Sequence, residues 1–186
     1  MHMPKLAVGA AAALILLSGC DNKANNDAAT PTANAAEAAG DQTIAAGLGE
    51  GSKFAAAAKA AGIDATLGGP GPYTVLVPTD AAFDKLPAGS LDTLMKPESR
   101  ADLTGLLSYH ILPGTMLAAD IAKAIDAGGG KAEIATMGGG TLTATKSGNS
   151  IMLADSTGAQ ARVTTADEKR SNGVVHQIDS VLMPSK

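Results

Sequence analysis

Few side chains in this sequence have the type and spacing that chemistry requires. His110 and His176 lie 66 residues apart, without the close pairing of a recognised metal motif, and zinc would need further ligands such as Asp179 to converge on them. Asp80 follows Pro78 and Thr79, the setting of a residue that satisfies free amide groups at a helix start. Asp179 reads as a tie between a strand and a neighbouring loop. The chain has no Gly-x-Ser-x-Gly elbow, no phosphate-binding Gly-x-x-x-x-Gly-Lys and no His-Glu-x-x-His, and Gly47, Gly49 and Gly51 lack the preceding strand of a dinucleotide loop. The expectation is no enzyme, with no catalytic residue, no metal site and no cofactor.

The elements that must position these residues follow from punctuation and periodicity. Residues 43–48 and 53–61 read as short helices, the second capped by Ser52 and ended by Gly62. A Gly-Pro run at 68–72 precedes a strand over 73–77, and Thr79 or Asp80 caps the helix that carries Phe83. Helical pieces are predicted over 91–95, with Ser90 as cap, and over 97–107, where Pro97 suits a first turn. Tyr109 to Leu112 is a strand candidate and residues 117–127 an alanine-rich helix. Strands over 131–137, 141–146, 150–154, 161–165 and 173–183 are divided by Gly-rich and Asn-rich turns. Helices first and strands later is the order of an α+β domain.

Three segments give that order a family likeness. Residues 171–184, Ser-Asn-Gly-Val-Val-His-Gln-Ile-Asp-Ser-Val-Leu-Met-Pro, resemble a signature box of the fasciclin (FAS1) domain. Residues 73–83, Tyr-Thr-Val-Leu-Val-Pro-Thr-Asp-Ala-Ala-Phe, resemble the family's other box, and residues 106–114, Leu-Leu-Ser-Tyr-His-Ile-Leu-Pro-Gly, its central Tyr-His segment. The resemblance implies a FAS1-like wedge-shaped β-sheet body with several short packed helices. It also implies a binding or adhesion module, with partner contact at Tyr109, His110, Asn172, Gly173 and His176. A purely internal role for Tyr109 and His110 is the competing expectation: alternation along a strand would put one in the core and the other near the surface. Residues 167–170, Asp-Glu-Lys-Arg, read as a solvated loop. A carrier or sensor of a small apolar ligand, with a groove lined by Leu112, Met116 and Met137, is the alternative function.

Before the domain, residues 1–19 hold Lys5 and then an uncharged run of 12 residues, which fits a secretory signal and is too short to span a bilayer. Leu17-Ser18-Gly19-Cys20 resembles the bacterial lipoprotein box, which implies diacylglycerol on the Cys20 thiol and membrane attachment on the periplasmic or cell-surface face. Residues 21–40 contain eight alanines and four asparagines but no Val, Ile, Leu, Met or aromatic residue, the composition of a tether. One domain is expected over 41–186, and a monomeric one. Since the leader carries one lysine and no acid, the remainder has 13 bases against 18 acids, a net charge of −5. That balance argues against a nucleic-acid footprint. The expected partners are the membrane through the anchor and a protein or envelope component.

Overall fold

The computed structural model describes residues 40–184. Seven strands form one sheet in the order β2-β1-β7-β6-β5-β4-β3: β1 Tyr73–Pro78, β2 Ile111–Pro113, β3 Lys131–Ala135, β4 Thr141–Ser147, β5 Ser150–Ala154, β6 Gln160–Arg170 and β7 Gly173–Ile178. β1 and β7 run parallel, and the remaining neighbours are antiparallel. Beyond β3, the Met137 amide donates to the Ile111 carbonyl at 2.8 Å and that of Gly138 to Ser108 at 3.0 Å. The two sheet ends are thereby brought together and the sheet curls toward a barrel.

Among the described residues seven α-helices accompany it: α1 Ile44–Gly47, α2 Lys53–Ala61, α3 Asp64–Gly68, α4 Asp80–Asp84, α5 Ser90–Leu94, α6 Arg100–Tyr109 and α7 Ala118–Ala127. Local chemistry fixes α2 at both ends. The Ser52 side chain accepts from the Ala55 amide, and Gly62 closes the helix at φ 77°, a left-handed conformation that costs glycine little. Asp80 supplies a further cap, accepting the Lys53 amide at 2.9 Å, so it serves the start of α2 as well as standing at the start of α4. The buried face of α2 is Phe54 and four alanines, small residues that let it pack closely on Leu103, Leu106 and Leu107 of α6.

Two cores lie on opposite sides of the β1/β7 pair. Val75, Val77 and Val175 pack with the helices α1 to α4 and α6, while Leu76 and Ile178 face α7 and the inner residues of β3 to β5. This alternation is the period of two expected of a strand buried on both faces.

Several expected boundaries move. Ser90 is the first residue of α5 and makes no cap, because Gly89 holds the cap position at φ 77°. Pro97 opens a short 3-10 turn over Pro97–Ser99, and α6 starts only at Arg100. Tyr109 is the last residue of α6 and His110 its C-cap, so the strand begins at Ile111. Residues 167–170 are not a solvated loop: β6 continues to Arg170 because Glu168 accepts from Gln177 and pairs with Arg170 at 3.0 Å. The last strand ends at Ile178, and residues 179–184 run on as an irregular strap.

Candidate functional site

The β6–β7 turn is built around Asn172. Its Oδ1 accepts the Ile44 amide at 2.8 Å, and its Nδ2 donates to the carbonyls of Leu67 and Gly69, each at 2.8 Å. One buried amide group thus joins the turn to the start of α1 and the end of α3, satisfying three backbone groups that would otherwise be stranded. Gly173 follows at φ 155° and lies so close to Tyr73 of β1 that a Cβ would collide with that residue's carbonyl. Only glycine allows the two parallel strands to start side by side there.

His176 of β7 is fully buried. Its Nε2 lies 2.8 Å from the Met116 carbonyl and its Nδ1 accepts the Asp167 amide at 3.1 Å. The carbonyl requires a proton on Nε2, which leaves Nδ1 bare, so the ring is neutral. Burial lowers its pKa, offset in part by the Met116 bond and by the charges of Asp167 and Glu168. Asp167, held at φ 60° within the second of two irregularities of the β6–β7 register, between Thr165 and Glu168, turns its own Oδ1 onto the first amide of α7, that of Ala118, at 2.7 Å.

His110 repeats the device with the nitrogens exchanged. Nδ1 lies 2.9 Å from the Leu106 carbonyl, and Nε2 accepts the Leu182 amide at 3.1 Å. Burial, opposed by the Leu106 bond and the charge of Asp155, brings its pKa down to about 4. Tyr109 beside it packs its ring in the second core and donates its hydroxyl to the Thr141 carbonyl at 2.9 Å. A Cβ on Gly138 would come within 2.7 Å of the Tyr109 amide nitrogen, so the Gly-rich β3–β4 turn is what lets the end of α6 lie against the sheet.

All five residues expected to touch a partner are therefore internal. Tyr109 and His110 share one neighbourhood, Asn172 and Gly173 another, and His176 lies between β6 and the segment before α7. Their side chains are not free for a partner meeting the folded surface, because each polar atom is already spent on backbone. The alternation expected of Tyr109 and His110 fails as well, since both are 1% exposed: a helix end, not a strand, carries them. Asp179 does tie strand to loop, accepting the Arg162 amide at 2.8 Å and donating its own amide back to the Arg162 carbonyl. Among the described residues no three His, Cys, Asp or Glu side chains gather as a metal site. Cys20 lies outside the described residues.

Asp155 is the functional-looking residue that the sequence did not single out. Its Oδ1 accepts the amides of Thr157 and Ala159 and the Thr157 hydroxyl, and its Oδ2 accepts the Met183 amide at 2.8 Å. Burial pushes its carboxyl up, but the amide of Met183 and the groups of Thr157 and Ala159 together outweigh it and hold the pKa below the usual value. The signal available was the turn Asp155-Ser156-Thr157-Gly158, whose aspartate is placed to bond the backbone two residues on.

Leu112 and Met116 are packed in the second core, and Met137 is 48% exposed, so the three do not share a groove. An open groove of about 450 Å³ lies elsewhere, between α1, α2 and α3, lined by Leu48, Ala58, Leu67, Glu50, Lys59 and Asp64 among others.

Residues 49–184 match the family model described as Fasciclin domain. Protein sll1483 of Synechocystis is 36% identical over 141 residues, 76% of this chain and 71% of that one. Immunogenic protein MPB70 of Mycobacterium bovis is 37% identical over 114 residues, 61% of this chain and 51% of that one. Cell surface glycolipoprotein MPB83 of the same species is 35% identical over 119 residues, 64% and 46% respectively. The chain thus spans about half the length of the two mycobacterial relatives. Among solved structures, a FAS1 domain pair from the insect cell adhesion molecule Fasciclin I aligns with a TM-score of 0.53 and 22% identity, covering 70% of this chain and 44% of that one.

Proposed function

Because the chain belongs to the fasciclin domain family, we propose that it is an extracytoplasmic binding module, held to a bacterial membrane by acyl chains on Cys20 and engaging a protein or envelope component. The observation that carries this is where the polar side chains of its signature segments go. Asn172, His110, His176 and Tyr109 all bond backbone of their own chain, which is the work of a scaffold and leaves recognition to the surface that the scaffold presents. The likeness to a cell adhesion molecule and to a cell surface glycolipoprotein supports the same reading.

The anchor and the fold also suggest which end meets the partner. Gly40 lies against Lys169 and Arg170, and the Gln42 carbonyl accepts the Ser171 amide, so the chain enters at the C-terminal end of β6. Met183 is bonded to Asp155, just before the other end of that 11-residue strand, on the order of 30 Å away. Met137 and Met183 are the large apolar side chains that stand exposed among the described residues. Both belong to that distal end, where the Tyr109 hydroxyl reaches Thr141 after the Met137 turn and Asp155 precedes β6. With lipid upstream of Gly40, this is the end farther from the point of attachment.

The test is fractionation of cells carrying the full chain or its Cys20→Ser variant, followed by capture from envelope extract. Loss of detergent partitioning in the variant, with capture of a protein or lipid component retained, supports the proposal. A variant that stays with the membrane refutes the anchor.

A further inference from the structure

Residues 179–184 have no regular secondary structure, yet Val181 packs into the helical core and Leu182 is fully buried in the other. A segment without a ladder of its own needs other partners for its amides, and two consecutive ones are held by titratable side chains. The Leu182 amide is accepted by His110 Nε2 at 3.1 Å and the Met183 amide by Asp155 Oδ2 at 2.8 Å. We propose that this strap is an acid-released latch, closed while His110 is neutral and Asp155 ionised, and opened when they take up protons.

The geometry makes both clips fail in the same direction. His110 Nδ1 must keep its hydrogen for the Leu106 carbonyl, so any added proton goes to Nε2 and faces the Leu182 amide, donor against donor. The charge of Asp155 favours that proton on the ring. Asp155 in turn loses its capacity to accept from Met183, Thr157 and Ala159 together once it is neutral. Tyr109 is the other titratable group facing Asp155, and burial raises its pKa, so it stays neutral throughout this range. The strap's entrance holds a carboxylate too, Asp179, whose pKa burial raises but the Arg162 amide, the Ser180 hydroxyl and the charges of Lys85 and Arg162 bring below the usual value. There the Lys85 ammonium donates to the Asp179 backbone carbonyl at 2.6 Å, a bond that does not depend on that proton, and the Asp179 carboxylate accepts from Arg162, so residue 179 is the hinge and 181–184 the part that leaves. Release withdraws Val181 and Leu182 from both cores and opens an apolar slot between them, at the end of the domain that carries Met137.

His176 provides an internal control. It is buried with the same double bonding, but it joins β7 to Met116 and β6, elements held by the sheet.

The experiment is a pH titration of the full chain by ¹⁵N NMR, following the ring nitrogens of His110 and the exchange protection of individual amides. Between pH 7 and 3 the His110 ring should gain its proton with a midpoint near 4, the value its burial gives it. Protection of the Leu182 amide should fall by on the order of 100-fold in step, and that of Met183 at lower pH, where Asp155, held below the usual carboxyl value, takes up its proton, while Val175 and Leu153 keep theirs. His110→Gln should weaken protection of Leu182 at neutral pH and flatten the step at that residue. Two results overturn the latch: a His110 ring that titrates with Leu182 still protected, or strap amides that lose protection only together with those of the sheet.

Discussion

Replacing Asn172 by alanine is the sharpest perturbation of the scaffold. The side chain makes three hydrogen bonds, each at 2.8 Å, to backbone groups more than 100 residues away in sequence. Each is worth about 1 kcal/mol net, and more where the partner is left buried without a substitute, as the Ile44 amide would be. The expected loss is about 3 kcal/mol, which in a domain of this size lowers the melting temperature by roughly 6 to 12 °C. Urea unfolding of the purified full chain, followed by circular dichroism, reads the first quantity and a thermal scan the second. Asn172→Asp adds a sign test. It keeps an acceptor for Ile44 but turns an oxygen on the carbonyls of Leu67 and Gly69, so it should be no better than alanine despite its near-identical shape. A loss below about 1 kcal/mol for the alanine variant, or an aspartate variant as stable as the parent, would show that Asn172 is not the internal staple described here. Loss of partner binding with stability unchanged would restore it as a contact residue.

Other perturbations probe separate links. Gly173→Ala places a Cβ against the Tyr73 carbonyl at a φ that alanine disfavours; the expected outcome is a loss above about 3 kcal/mol or failure to accumulate as folded protein, read from soluble yield and thermal unfolding. Asp80→Ala removes the cap on the Lys53 amide and should cost about 1 kcal/mol in urea unfolding, with the fold retained. For His110, the folded pKa of about 4 stands below the ordinary 6.5, so the unfolded chain takes up the proton first as pH falls. Its stabilising effect is complete above about pH 6.5 and is lost progressively toward pH 4, an acid penalty of about 3 kcal/mol measurable by urea unfolding at pH 7 and pH 4.

Much of this fold is legible in the sequence, and the exceptions have physical causes. Ser52, Gly62 and Thr79 announce helix ends by chemistry that is local, and they do so correctly. The strand at 150–154 is equally plain, with alternate residues buried. Tyr109 and His110 read as strand because they adjoin Ile111 and Leu112, whereas packing of Leu103, Leu106 and Leu107 prolongs the helix through Tyr109. Charged residues 167–170 read as loop because their partners lie outside the segment, Gln177 across the turn on β7 and the Gly47 carbonyl far back in the sequence. The same limit governs the site. The motif residues stand out by type and order, but their burial depends on backbone groups at Ile44, Met116 and Leu182 that no local pattern connects to them.

Site-specific photo-crosslinking in cells tests the central claim most directly, by placing a photoreactive residue at Met137 or Met183 of the end proposed to meet the partner and, for comparison, at Glu50 beside the groove between α1, α2 and α3. The account predicts a discrete adduct from positions 137 and 183 and none from 50. Adducts from Glu50 alone would contradict it.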